Sequence, residues 1–310
     1  MRGQLSEIVA RAAALRELIA PCRLCPSRCG VDRLRGELGR CGTAAGARVA
    51  AFGAHFGEER PLVGAHGSGT VFFSGCNLSC LFCQNAPISQ GREGDDLSPE
   101  ELAAVFLNLQ SIGCHNLNLV TPTHQAYAIV EALAVATARG LDLPVVWNCG
   151  GYESADVIEI LDGIVDVYMP DFKYGSDEVA RALSGVSGYT AAARPAVLRM
   201  HRQVGDLRVD EDGIARRGLL VRHLVLPGGR AGTESVVEFL AREVSTETYM
   251  NVMSQYHPCH RAHEIAELGR RITREEFRSA VRMARGAGLH RFAAADGRAM
   301  DDDETEWRSG

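Results

Sequence analysis

Three cysteines stand within eight residues in the run Gly75-Cys76-Asn77-Leu78-Ser79-Cys80-Leu81-Phe82-Cys83, directly after the strand-like Thr70-Val71-Phe72-Phe73. An iron–sulfur cluster as a rule takes four Cys ligands, so three thiolates would hold three irons of a cubic cluster and leave the fourth open to an exogenous molecule. That arrangement suits chemistry more than passive electron storage. Structural zinc and disulfides are the competing uses of thiols, but zinc sites favour paired knuckles and a fourth protein ligand.

Composition narrows the classes of partner. With 310 residues, 46% of them hydrophobic, the chain can bury one large core or two unequal ones. A formal net charge of -6 argues against a surface that tracks phosphates, so nucleic acid is not an expected partner. Leu5, Ile8, Val9, Ala12, Leu15, Leu18 and Ile19 recur with helical period, interrupted by Glu7, Arg11, Arg16 and Glu17, which is neither a signal peptide nor a membrane span. No apolar run is long enough to cross a bilayer, so no membrane association and a cytoplasmic, reducing location are expected. Ten cysteines in such a compartment indicate metal or redox chemistry before disulfides. The only lysine is Lys173 against 32 arginines, and a compact ammonium fills different sites from a planar guanidinium.

Along the chain, residues 1–60 read as a helix followed by a Cys-rich module. Cys22, Cys25 and Cys29, spaced x2 and x3, with Cys41, lie in Gly- and Arg-rich sequence of little periodicity, as in small modules that need a metal to fold. Four thiols could close on zinc or on a second [4Fe–4S] cluster, or be ordinary thiols. From residue 67, short β-branched runs alternate with amphipathic stretches, the pattern of successive βα units on a parallel sheet. Strands are expected at 70–74, 116–121, 144–148, 164–169, 196–200, 219–226 and 248–253, and helices at 98–112, 123–139 and 273–286. The fold class is therefore α/β, a partial (β/α)6-7 TIM-like barrel over 61–295. Residues 296–310, acidic and nearly free of apolar side chains, read as a disordered tail.

The spacing Cys-x3-Cys-x2-Cys with an aromatic before the last Cys resembles the signature of the radical S-adenosylmethionine (radical SAM) superfamily. Phe73-Ser74-Gly75-Cys76 and Cys83-Gln84-Asn85 resemble the corresponding loop of pyruvate formate-lyase activating enzyme. The likeness runs from about Cys22 to His290 and is to an activase-like family sharing the N-terminal cysteines, a His-Phe-Gly-Glu-Glu segment at 55–59 and a Ser-Gln-Tyr segment at 254–256.

The resemblance implies a [4Fe–4S] cluster on Cys76, Cys80 and Cys83 with SAM as its partner, and an external one-electron reductant such as flavodoxin or ferredoxin. It places Phe82 near the SAM adenine and Asn85 in the same loop. Thr121 and Thr123, in Thr-Pro-Thr-His, occupy the place where many members receive the SAM amino group. Asn148 falls in a segment that, with Asp171, holds a monovalent cation in glycyl-radical activases; Lys173 matches a residue for the SAM carboxylate, and Arg222 an Arg near SAM. Implied chemistry is reductive cleavage of SAM to a 5'-deoxyadenosyl radical that takes a substrate hydrogen. An activase would take it from a glycine of a glycyl-radical enzyme. A radical epimerase or tailoring enzyme would act on a small molecule, sugar or peptide and need a hydrogen donor, for which Cys149 and Cys259 at expected strand ends are the choices; Cys114 reads as core. A non-catalytic iron–sulfur or zinc scaffold is the remaining alternative. The histidines near Cys259 (His257, His260, His263) read as a loop lining the pocket.

Overall fold

Six parallel strands, four of them buried along nearly their whole length, form the frame of the chain. In a computed structural model, which describes residues 5–293, nine strands make one sheet: β1 (Ala47–His55), β2 (Ser68–Phe73), β3 (Asp95–Leu97), β4 (Leu117–Val120), β5 (Val145–Cys149), β6 (Val167–Pro170), β7 (Arg208–Val209), β8 (Ala215–Leu224) and β9 (Tyr249–Met253). The order is β3-β1-β2-β4-β5-β6-β8-β7, with β9 on β8. β2, β4, β5, β6, β8 and β9 pair in parallel, while β1, β3 and β7 are antiparallel additions. This is an α/β partial barrel with six parallel strands.

Five of the intervening connections carry helices, and their start signals are physical. Ser98 caps Pro99–Ser111, its hydroxyl accepting from Glu101 N while the Glu101 carboxylate accepts from Ser98 N, and Thr273 does the same with Glu276 for Arg274–Gly286. The expected helix at 123–139 begins as one 3₁₀ turn, Thr123–Gln125, before Ala126–Ala138. The strand expected at 196–200 is instead part of the helix Tyr189–Val204. Its buried Ala193, Ala196, Val197, Met200 and Val204 follow helical spacing, and a short apolar run seen alone does not tell strand from helix. The tail expected at 296–310 lies outside the described residues.

Alternation along the six strands sorts side chains onto two faces. Val71, Phe73, Leu117, Leu119, Val145, Trp147, Cys149, Tyr168, Leu219 and Val221 join the large core under the helices. On the other face, Val146, Val167, Met169 and Leu220 meet Leu62, Leu207 and Ala215 in a smaller apolar cluster that floors the barrel lumen. Leu62 arrives on the segment that follows β1, in the short helix Arg60–Val63, and Asn116 Nδ2 fixes that helix by donating to Leu62 O at 2.7 Å. Above the floor the same parity turns Asn118, Asn148, Asp171, Arg222 and Asn251 inward, so the upper lumen is polar.

One buried carboxylate belongs to the helix side. Glu153, in the turn between β5 and the helix Ala155–Ile160, is 1% exposed, and its Oε1 accepts from Thr123 Oγ1 at 2.5 Å. Burial pushes Glu153 up from 4.5 to about 7, against the opposing effect of Thr123, Trp147 and Cys149. A carboxyl raised in the folded state contributes stability that is fully present below its unfolded pKa and is lost as pH rises toward its folded one. Urea unfolding of the metal-free chain at about pH 5 and about pH 8 should show Glu153→Gln losing less stability than the wild type, by up to roughly 3 kcal/mol. Parallel pH dependences for the two chains would remove Glu153 as the cause.

Candidate functional site

The loop from Ser74 to Cys83 leaves the C-terminal end of β2, the end at which βα loops of a barrel converge. It starts with a left-handed Gly75 (φ +81°), where a Cβ would lie 2.6 Å from Cys41 O, so a side chain is excluded by both conformation and space. Cys76 Sγ accepts from Leu78 N at 3.3 Å, while Cys80 Sγ pairs with Ser184 Oγ at 2.9 Å and Cys83 Sγ with Ser89 Oγ at 3.1 Å. Burial pushes the Cys76 thiol well up, with Cys80 adding to it; burial also raises Cys80, with the Lys173 charge opposing.

A charge network stands at the same rim. Asp171, just beyond β6, accepts from Lys173 Nζ through Oδ2 at 2.6 Å and from Arg222 Nε through Oδ1 at 2.6 Å. Arg222 also donates to Asn148 Oδ1 at 2.7 Å and reaches Glu58 Oε2 at 3.4 Å, so one guanidinium joins β5, β6, β8 and the segment after β1. Burial works to raise Asp171, yet Arg222 and then Lys173 hold it down to about 2. Burial likewise opposes the charge on Lys173, but Asp171 and then Cys80 push its pKa up. The side chains of Asp171, Lys173 and Arg222 keep 16–18% exposure, which leaves them within touch of a molecule entering the mouth. Asp171 takes one of the three N–H donors of the Lys173 ammonium.

The network is carried by residues that local spacing did not single out. Tyr189 Oη accepts from Lys173 N at 2.8 Å and points at Asp171 O (2.9 Å) and Gly150 O (3.1 Å), tying together the turns after β5 and β6. Glu59 Oε1 accepts from Asn251 Nδ2 at 2.8 Å, and His55 Nδ1 lies 3.3 Å from Glu58 Oε1. Within the described residues, neither amide atom of the fully buried Asn118 has a protein partner, nor does Glu59 Oε2. The signal for Glu58 and Glu59 was the 55–59 segment; for Asn118 and Asn251 it was their inward parity, readable only once the strands are registered.

The other expected site residues are placed as follows. Phe82 is buried, edge-on to Tyr256 at 5.9 Å, and Asn85 is exposed at the start of the short helix Ala86–Ser89. Thr121 is half-buried at the end of β4 with a left-handed backbone (φ +60°), a conformation that is costly for a β-branched residue. Thr123 departs from its expected use: its hydroxyl is fully buried and commits its proton to Glu153. Cys149 also departs. Along β5, Asn148 faces the lumen and Cys149 the opposite, helix side, where it is 2% exposed. Cys259 is half-buried and stands beside the triplet: its thiol donates to Phe82 O at 3.2 Å, Arg261 N donates to Leu81 O at 2.8 Å, and Gln84 Nε2 meets His257 Nδ1 at 3.4 Å. Cys114 is buried. At the place expected to hold a monovalent cation, the Arg222 guanidinium lies between Asn148 and Asp171.

Of the N-terminal cysteines, Cys22, Cys25 and Cys41 are buried and Cys29 is exposed. Burial raises Cys25 to about 11. Within the described residues no three His, Cys, Asp or Glu side chains converge closely enough to hold a single metal ion, and none of the helices is long and apolar enough to cross a membrane. An iron–sulfur cube binds its ligands at separate corners, so it asks for a wider set than one ion does.

The triplet fits such a cube. It offers three thiols on one loop, a hydrogen-bond partner at each sulfur and a neighbouring ammonium, and metal binding takes the thiolate form that burial alone disfavours. The upper lumen fits a zwitterionic ligand, because it presents an ammonium, a carboxylate and the unpartnered amide of Asn118.

Residues 70–205 match the Radical SAM superfamily profile. An uncharacterized protein of Methanocaldococcus jannaschii is 33% identical over 273 residues, covering 85% of this chain and 74% of that protein. Two solved structures have similar chains. One is the radical S-adenosylmethionine methyltransferase TsrM from Kitasatospora setae, determined with tryptophan substrate and the SAM analogue aza-SAM (TM-score 0.48, 12% identity, 75% of this chain and 54% of that one). The other is methylornithine synthase, PylB (TM-score 0.43, 16% identity, 75% and 74%). The superfamily match spans β2 through β6, the stretch that holds the cysteine triplet, Asp171 and Lys173, and on sequence, fold and site together the chain belongs to the radical SAM superfamily.

Proposed function

We propose that this chain is a hydrogen-abstracting radical SAM enzyme in which Cys76, Cys80 and Cys83 hold a [4Fe–4S] cluster and the Asp171–Lys173–Arg222 network seats SAM beside it. The observation that carries the reading is the meeting of three thiols and a charge-paired lysine at one barrel rim. When bound, the reduced cluster with SAM supplies a 5'-deoxyadenosyl radical, leaving methionine.

The protein's part is binding and exclusion. Lys173, held charged by Asp171, offers its remaining donors to the SAM carboxylate. Arg222 is spent on Asp171, Asn148 and Glu58, so its work is to orient Asp171. Phe82, packed on Tyr256, offers an apolar face next to the thiols, and the segment 55–59 covers the lumen and limits water. Cys76→Ala/Cys80→Ala/Cys83→Ala should form no 5'-deoxyadenosine from SAM and dithionite, measured anaerobically by mass spectrometry. Product at the wild-type level in that variant would end this reading.

Two substrates classes fit, and each has a specific support. Likeness to activase loops around Cys76 and at Asp171–Lys173 favours a glycine Cα hydrogen in a large partner enzyme. The position of Cys259 beside the triplet favours a tailoring enzyme on a small molecule, sugar or peptide, in which the substrate radical regains hydrogen from the Cys259 thiol. The resulting thiyl then takes one electron from the external reductant and one proton. Cys259→Ser keeps a donor to Phe82 O but has no weak S–H bond to give. In the tailoring case it should retain SAM cleavage and lose solvent deuterium from the isolated product; equal activation of a glycyl-radical partner by both chains would select the activase.

A further inference from the structure

The segment that follows β1 brings two carboxylates to the barrel lumen. Glu59 precedes the short helix Arg60–Val63, and its backbone carbonyl accepts from Leu62 N at 2.7 Å, but its side chain makes no capping bond. Pro61 removes one of the amide donors such a cap would use, so the carboxylate turns elsewhere. Glu59 Oε1 accepts from the inward Asn251 Nδ2 at 2.8 Å, while Oε2 has no partner among the described residues, although Glu59 is only 7% exposed. Glu58, alongside, faces Arg222 at 3.4 Å and the solvent-exposed His55 at 3.3 Å.

A second orphan stands on the β4 wall. Asn116, Asn118, Asn148 and Asn251 share the lumen side of the sheet, and all but Asn118 are paired. Asn116 accepts from Ser68 Oγ and donates to Leu62 O, each at 2.7 Å; Asn148 accepts from Arg222, and Asn251 donates to Glu59. Asn118 is fully buried, with neither amide atom bonded. In register it stands beside Val146 of the apolar floor, two residues below Val120, the partner of Asn148, and so lies deeper than Asp171 and Lys173 at the rim. Buried amide and carboxylate atoms without partners are costly, yet the folded chain keeps both. Charge repeats the asymmetry: Arg222 contacts Asp171 and Glu58, Lys173 contacts Asp171, and Glu59 is left hydrogen-bonded to a neutral amide.

We propose that the lumen beneath the SAM seat is a substrate pocket for a small primary amine that carries a hydroxyl or carbonyl oxygen close to its ammonium. Glu59 Oε2 accepts from the ammonium. The Asn118 amide takes the oxygen function, Nδ2 donating to it and Oδ1 accepting from a hydroxyl where there is one. The assignment rests on the SAM enzyme proposed above and deepens its tailoring reading, because a glycine within a partner enzyme brings no positive charge to Glu59. An ammonium offsets the one lumen carboxylate that no described cation contacts, whereas a neutral polyol leaves that charge buried and an acid adds to it. Val146, Val167, Met169 and Leu220 close the lumen underneath, which keeps the substrate small.

Titration calorimetry on the full chain, reconstituted anaerobically with iron and sulfide and in the presence of SAM, tests the pocket with matched two-carbon probes. Ethanolamine should bind about tenfold or more tightly than ethylene glycol or glycolate. Equal affinities, or a preference for glycolate, overturn the proposal. In Glu59→Gln the affinity for ethanolamine should fall by about tenfold or more, and by more than the affinity for SAM. A larger loss for SAM assigns Glu59 to the SAM seat and overturns the pocket. Should Glu59→Gln fail to fold, Asn118→Leu remains decisive: exchanging an unpaired buried amide for an apolar side chain of similar size should leave the urea midpoint of the metal-free chain no lower than that of the wild type, and should weaken ethanolamine binding. A lowered midpoint or an unaltered affinity overturns the role of Asn118. The SAM reading fails separately, through absence of 5'-deoxyadenosine from the wild type with SAM and dithionite, whatever the order of the probes.

Discussion

A half-buried carboxylate shared by two cations is the constraint from which the upper barrel follows. Asp171 takes Lys173 on one oxygen and Arg222 on the other. Removing three charges from water is costly, and a hydrophobic replacement of such a set is often as stable or more so. The arrangement therefore earns its place through position. Arg222 carries the constraint to Asn148 and Glu58, Glu59 carries it to Asn251, and Tyr189 locks the backbone at Asp171 and Gly150. The outcome is an ammonium fixed beside three thiols, with the electrostatic cost met by pairing and not by neutralisation.

What the sequence made legible was whatever depends on short spacing. The triplet, the capping boxes at Ser98 and Thr273, and all six parallel strands declare themselves within a window of a few residues. β1 does not, because Ala47–His55 is alanine- and glycine-rich, exposed over much of its length and bulged between Val49 and Ala51. β3, three residues beginning with two aspartates, exists as a strand only through its pairing with β1. The run at 196–200 misleads for the opposite reason: its apolar residues are real, but their helical partners at 193 and 204 lie outside the window a strand occupies.

Site residues divide along the same line. Asp171 and Lys173 are two apart on an extended chain and were legible together. Their joint contact with Arg222, 51 residues on, and with the 55–59 segment needed the register of the sheet. Strand-end position alone was too coarse a criterion for Cys149, since period two sends neighbours Asn148 and Cys149 to opposite faces. The same rule recovers what was missed: Asn118 and Asn251 share the inward parity of Asn148 and Arg222, and no local composition would have marked them.

The triplet loop itself is held from four directions by parts of the chain far from it. Arg40 and Cys41 meet it from the N-terminal module, His124 from the turn after β4, Ser184 from the helix after β6, and Cys259 with Arg261 from the loop after β9. A loop left to chance would spend much of the binding energy of a cluster on its own ordering, because fixing a residue's backbone costs about 1–2 kcal/mol. Ordering it beforehand through packing and hydrogen bonds shifts that cost to folding, where it is shared with the barrel. It also explains why Gly75 has no room for a side chain: the carbonyl of Cys41 lies against it, and with the contacts of Arg40 it ties the ordering of the two cysteine-bearing segments together.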